Sequence, residues 1–458
     1  SLCLVCVQML SAAEPMPSLG RDSMRRDVRQ RIAKDEPPRI DSVLLTGALR
    51  EVGEDGRIAL TLEGGGARGL YHIGVIKALE ENEIPIDYIS GTSMGAIIAA
   101  LYASGYSAEE MEAIATSGEV EKWVSGKIDD RYKFFYNERE NTPSMFSIYA
   151  DMQRDTLNTR SSLNLALPHS FINTSQIDMA LVELFSAASA KAGGDFDRLM
   201  IPFRAAAADM NRHEVVIYRQ GDLPFVVRAS MSYPILFRPV TDDQGRVLVD
   251  GGVYNNFPWQ PLEEDFHPDL LIGSQCLDNK EPATQQSSVE KQVMALVTMP
   301  SEYAMPEGRS VMIKRKITSS LLDFSGGAAT IEHGYRDAMA AMPYLLQKVK
   351  ARRTKEELAQ RREAFRETLP ELQFGSMDIE GLNSRQQDYA LTFMNFEKHA
   401  HKSHEPRPAT SFEDVRERYF SLMATDEFTT NAFPRIRYDS VERDFSIQLN
   451  LSTKPNIR

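Results

Sequence analysis

Three short stretches hold the side chains that could do chemistry. Gly91-Thr92-Ser93-Met94-Gly95 fits the pattern G-x-S-x-G. That pattern places a serine at the apex of a strand-to-helix turn so tight that its flanks must be small, with the hydroxyl exposed at the sheet's C-terminal edge. Gly64-Gly65-Gly66-Ala67-Arg68-Gly69 is the second stretch. Three successive glycines let the main chain approach a ligand closely, and their N–H groups at a helix start could face a developing oxyanion. A phosphate-binding loop is the competing reading, but the Gly-Lys-Ser/Thr ending of a phosphate loop is absent. Arg68 could steady this loop, attract an anionic head group, or serve in an ordinary salt bridge. A serine also needs a base. The eight histidines (72, 169, 213, 267, 333, 399, 401 and 404) include none in an evident loop after a late strand, and His72 reads as a satisfied helix residue. The third stretch supplies a better candidate: Val247-Leu248-Val249-Asp250 is an apolar run delivering a carboxylate to a Gly251-Gly252 turn. Without histidine, such a carboxylate must take the serine proton directly, and partial desolvation would make it more basic.

Positioning these groups requires a parallel α/β sheet. Ile58 to Leu62 reads as a strand ending at the glycine loop, followed by a helix from about Gly69 to Asn82. Ile86 to Ser90 reads as a second strand feeding the serine turn, and a small-residue helix follows through Ala103, with Gly105 at its end. Strand, helix, strand, helix at this spacing predicts a parallel sheet with crossover connections. Runs at 201–207, 214–218, 246–249 and 270–274 continue it. Both turns then fall at C-terminal strand ends, where open sheets place their sites. The alternative for Ser93 is a bystander in a glycine-bounded turn. Two stretches lie outside the repeating pattern: 119–150, rich in aromatics including Trp123 and Tyr132, and the polar 279–330. Either could cover the site, and the aromatics also read as satellite core.

The three motifs in this order resemble the patatin-like phospholipases. Ala229-Ser230-Met231-Ser232-Tyr233-Pro234 and Phe237-Arg238-Pro239 resemble the segment this family carries before its Asp-Gly-Gly turn. The resemblance covers roughly residues 57–340. It implies an α/β acyl hydrolase with a Ser–Asp dyad: Ser93 as nucleophile, Asp250 as base, Gly64, Gly65 and Gly66 as the oxyanion loop, and Gly91, Gly95, Gly251 and Gly252 as the small residues of the two turns. It implies phospholipid or lysophospholipid acyl esters as substrate, met at a membrane surface, with no metal and no cofactor. A serine peptidase using the same dyad is a weaker alternative.

The chain has 458 residues with Lys+Arg 52 against Asp+Glu 65, a net charge of −13. Its composition excludes disorder and collagen-like sequence, and the charge argues against nucleic acid as a partner. Three cysteines build no disulfide framework, and Cys276 reads as a small core residue. Residues 1–13 (apolar Leu2 to Leu10, then Ser11-Ala12-Ala13) resemble the remnant of a secretory signal and predict export to the cell envelope or beyond. Residues 14–56 read as an arm, 57–343 as the acyl hydrolase domain, and 344–370 as a charged helical linker or a surface for anionic lipid. Residues 371–458 read as a second, smaller α+β domain of order β-α-α-β-β, which resembles a POTRA domain. Signal remnant, patatin-like domain and POTRA-like domain together resemble outer-membrane proteins in which a β-barrel follows, here beyond residue 458. The rival function is an outer-membrane secretion or assembly protein whose POTRA-like domain binds polypeptide by strand addition while the patatin domain is a passenger.

Overall fold

The computed structural model describes residues 42–45, 47–128, 130–132, 172–277, 301–396, 409–425, 428–430 and 432–453. It adds the backbones of strands at 149–153 and 162–166 and scattered positions between 284 and 295. The signal remnant expected at 1–13 lies outside the described residues. The elements of the first unit are β1 (Val43–Leu45), β2 (Ile58–Leu62), α1 (Tyr71–Glu81), β3 (Tyr88–Thr92), α2 (Met94–Ala103), α3 (Ala108–Thr116), α4 (Glu119–Ser125), β4 (Tyr149–Gln153) and β5 (Ser162–Ala166). They continue with α5 (Ser175–Ala192), β6 (Phe203–Asp209), β7 (Glu214–Tyr218), α6 (Leu223–Ser230), β8 (Val240–Thr241), β9 (Val247–Asp250) and α7 (Gln260–Phe266). After these come β10 (Leu270–Leu277), β11 (Ser310–Lys316), α8 (Gly327–Lys348) and α9 (Lys355–Arg366).

Among the described residues, nine strands form one sheet in the order β1-β11-β10-β2-β3-β6-β9-β8, with β7 also on β6. β11, β10, β2, β3 and β6 run parallel. Along β2, Ile58, Leu60 and Leu62 face one apolar cluster with α1, α2 and α8, while Ala59 faces another containing Leu262 of α7, Leu271 and Met312. Both faces of the sheet are therefore covered, which is why every residue of β2, β3 and β6 is buried rather than every second one. The expectation of a parallel sheet throughout needs correction. β7 and β9 pair antiparallel to β6, and β1 antiparallel to β11. The cause for β7 is the connection: only residues 210–213 separate it from β6, too few for a crossover, so the chain turns back as a hairpin.

Two expected boundaries also shift. β1 lies inside the stretch read as an arm, yet it is an edge strand of the main sheet. The linker expected from residue 344 begins inside α8, which runs to Lys348 with Leu345 buried. Three of its arginines are engaged with the first unit, while Lys350, Arg352 and Lys355 are exposed. Arg353 pairs with Asp87 at 2.9 Å, Arg362 with Glu80, and Arg366 with Glu110.

The second unit contains β12 (Gln373–Glu380), α10 (Ser384–Phe393), β13 (Thr410–Ser411), α11 (Phe412–Ala424), β14 (Phe428–Thr430), β15 (Arg435–Asp439) and β16 (Asp444–Thr453). Its five-stranded sheet has the order β13-β12-β16-β14, with β15 also on β16. The β-α-α-β-β order is present, with two short edge strands, β13 and β14, that their length hid from sequence reading. Phe445, Ile447, Leu449 and Leu451 are all buried, as strict alternation along β16 requires. The unit docks on the first through Arg416–Glu183 at 2.9 Å and through Arg238 Nη1, which donates to the Thr430 carbonyl at 3.0 Å.

α1 and α8 cross closely because each supplies a glycine. A Cβ on Gly334 would lie 1.9 Å from the Tyr71 carbonyl oxygen, and one on Gly74 at 1.9 Å from that of Ile331. Ordinarily Gly→Ala inside a helix stabilises by roughly 1 kcal/mol. Here the contact is with backbone, which can yield only if the helices separate, so the clash wins. Gly334→Ala is expected to lower stability by about 1–3 kcal/mol in equilibrium urea unfolding.

Candidate active site

β2 and β3 are parallel neighbours, with Leu62 opposite Gly91, so the glycine loop and the serine turn leave the sheet side by side. A Cβ on Gly91 would sit 2.3 Å from the carbonyl carbon of Gly95, and one on Gly95 2.5 Å from the Leu62 oxygen. The turn closes only because both positions lack side chains. Between them Ser93 takes φ 55° and ψ −123°, a conformation costing a non-glycine residue on the order of 1–3 kcal/mol.

Asp250 arrives by an unexpected route. β6 residues 207–209 pair with β7 on one edge and β9 on the other, and residues 205–206 pair with both β3 and β7. β3 and β9 therefore share one edge of β6 and run toward each other. Thr92 stands opposite Ala206, and Asp250 stands opposite the next residue, Ala207. The C-terminal tips of the two strands abut, and the Ser93 hydroxyl lies near enough to the Asp250 carboxylate to stabilise its charge. Asp250 Oδ1 also accepts the Gly252 N–H at 2.7 Å. The carboxylate is 3% exposed. Burial pushes its pKa up to about 6, although the Ser93 hydroxyl and the Gly252 N–H pull the other way.

Of the three loop glycines, Gly64 does not fit the part expected of it. Its N–H is taken by the Asn256 carbonyl at 3.1 Å, while Asn256 Nδ2 donates back to the Gly64 carbonyl at 3.0 Å. The amides of Gly65 and Gly66 make no such backbone bond among the described residues. Arg68 Nε donates to the Gly65 carbonyl at 3.0 Å, so this guanidinium steadies the loop. Asn256 itself is held by Ser301, whose hydroxyl accepts its N–H at 2.7 Å. Asn256 gave no signal in the sequence beyond lying a few residues past Gly252.

His72 is buried between the Ser274 hydroxyl at 2.7 Å and the Glu63 carbonyl at 2.8 Å. Burial lowers its pKa to about 4, so it stays neutral and props the residue before the loop. Cys276 is buried beneath Gly65. Trp123 and Tyr132 are half-buried against the core, and Tyr132 tilts onto Phe420 of the second unit at 5.4 Å. Phe134, Phe135, Tyr136 and Phe146 lie outside the described residues.

With this geometry, the profile of the family described as patatin-like phospholipase matches residues 60–263. The chain carries a patatin-like phospholipase domain. This domain is 32% identical over 218 residues to lysophospholipase NTE1 of Cryptococcus neoformans, covering 47% of this chain and 11% of that protein. It is 32% identical over 203 residues to patatin-like phospholipase domain-containing protein 6 of Mus musculus, covering 44% and 12%. The chain thus spans about a tenth of the length of these curated relatives. Among solved structures, VipD of Legionella pneumophila is similar at 14% identity and a TM-score of 0.35, over 74% of this chain and 80% of that one. The patatin-like domain holds Ser93, Asp250 and the glycine loop within its matched residues.

The raised pKa of Asp250 fixes the sign of two pH effects. Folding favours the protonated form, so this contribution to stability is present below about pH 4 and is lost as pH rises through 6. Asp250→Asn is therefore expected to be more stable than the wild type at pH 8, by on the order of 3 kcal/mol, and no more stable at pH 4. Urea unfolding at the two pH values reads the difference. If Asp250 takes the Ser93 proton, labelling of Ser93 by a fluorophosphonate should fall away below about pH 6, as the carboxylate becomes protonated.

Proposed function

We propose that the domain is a phospholipase A or lysophospholipase acting through a Ser93–Asp250 dyad. The observation that carries this reading is the strained serine set beside a buried carboxylate of raised pKa where two strand tips meet. The Ser93 hydroxyl oxygen attacks the ester carbonyl while Asp250 takes its proton. The N–H groups of Gly65 and Gly66 face the oxyanion, and one such donor is typically worth about 2.7–4 kcal/mol of barrier. Asp250 returns the proton to the leaving alcohol as the C–O bond breaks, leaving an acyl ester on Ser93. Water, deprotonated by Asp250, then attacks that ester. The fatty acid leaves, and the proton goes back to Ser93. Fatty-acyl esters of membrane lipids as substrate are supported by the relatives named lysophospholipase and patatin-like phospholipase.

The β-α-α-β-β order of the second unit supports reading it as POTRA-like, and the apolar run Leu2 to Leu10 supports export to the cell envelope. No described helix is long and apolar enough to cross a membrane. Contact with the bilayer in this reading is made at its surface.

Mixed liposomes digested with the wild type should release free fatty acid and lysolipid, identified by mass spectrometry. Ser93→Ala and Asp250→Asn should each slow release by on the order of 10⁴, the loss seen when a member of a catalytic triad is removed. Near wild-type release by Asp250→Asn would sink the dyad. A Ser93 that no fluorophosphonate modifies would leave a binding module instead.

A further inference from the structure

The segment Arg228–Ser232, at the end of α6, touches the main chain of both dyad residues. Ser230 is fully buried. Its hydroxyl accepts the Ser93 N–H at 3.0 Å and donates to the Ala206 carbonyl at 2.6 Å. Ala206 is the β6 residue opposite Thr92, so Ser230 ties the peptide entering the elbow to the strand beside it. Two residues later, the Ser232 carbonyl accepts the Asp250 N–H at 2.9 Å. The Ser232 hydroxyl is itself locked: it accepts from Arg228 Nη1 at 2.6 Å and donates to the Arg228 carbonyl at 2.7 Å. Arg228 is fixed in turn by a buried ion pair with Asp178 at 2.7 Å.

We infer that this segment is the positioning device of the dyad, with Ser230 holding the nucleophile's main chain and Ser232 that of the base. The inference rests on the dyad mechanism proposed above. Ser93 sits in a backbone conformation that its own chain does not favour, and the Ser230 hydroxyl is a side chain aimed at keeping it there. Ser230 touches no reacting atom. Its effect is on where the Ser93 hydroxyl lies, and a small misplacement of a reacting group is enough to slow an enzyme strongly.

The test uses the full chain and a short-chain nitrophenyl ester. Ser230→Ala should lower kcat by roughly 10- to 100-fold, leave KM within about twofold, and leave the acid limb of the rate profile near pH 6. Ser230→Cys keeps the volume but makes only weak hydrogen bonds, so it should be as slow as Ser230→Ala. Ser232→Ala, which frees Arg228 Nη1 and loosens the base, should instead move the acid limb. A Ser230→Ala variant with kcat within threefold of the wild type overturns the inference, and so does full recovery in Ser230→Cys, which would mark a packing role. A labelled wild type with an unslowed Ser230→Ala overturns this inference alone. A wild type that takes no label overturns the dyad and this inference together.

Discussion

The structure depends on one meeting: the tips of β3 and β9 on a shared edge of β6. β3 rises alongside residues 203–206 and stops at Thr92, while β9 descends alongside 209–207 and stops at Asp250. Neither strand continues because the other occupies its path. The two residues at the junction are therefore forced together by sheet hydrogen bonding rather than by a flexible loop. A serine and a carboxylate distant in sequence become neighbours at no cost in loop ordering beyond what the sheet already carries.

Burial at that junction does the rest. In the proposed dyad a single carboxylate serves as base where a triad would supply histidine, and an ordinary aspartate is too acidic for that work at neutral pH. Burial makes Asp250 more basic, and the Ser93 hydroxyl and Gly252 N–H keep it from drifting further. The glycine loop is organised by the same logic of fixed dipoles. Asn256, Arg68 and His72 each hold a main-chain carbonyl in or beside it, the fixed frame that the proposed oxyanion role of the Gly65 and Gly66 amides requires.

Much of this was legible in the sequence because the relevant constraints are local. A turn that closes only with Gly91 and Gly95, a strand of continuous apolar residues, and an aspartate before two glycines all leave short patterns. What was not legible is non-local. Nothing in Val247–Asp250 says whether the strand runs with or against its neighbour, since a buried strand looks the same in either direction. The three-residue β1 was too short to show a period, and the basic helix α9 looked solvated because its acidic partners, Glu80 and Glu110, come from elsewhere in the chain. Gly64 resembled its two neighbours in type and position, and only the fold shows that its amide is already spent on Asn256. Ser230 and Ser232 were visible as part of a familiar segment, yet the bonds that give them a purpose span the distance from α6 to two separate strands.

The abutting strands also decide which errors the protein can tolerate. Residues 242–246 form the tight connection entering β9, and slack there can be taken up at the surface. Within β9 the side chains alternate between the faces of the sheet, so losing a single residue would rotate Asp250 to the far side. The molecule would keep its core while Ser93 lost the carboxylate beside it. That makes the four residues of β9 a place where a small deletion would part Ser93 from Asp250 and leave the surrounding fold standing.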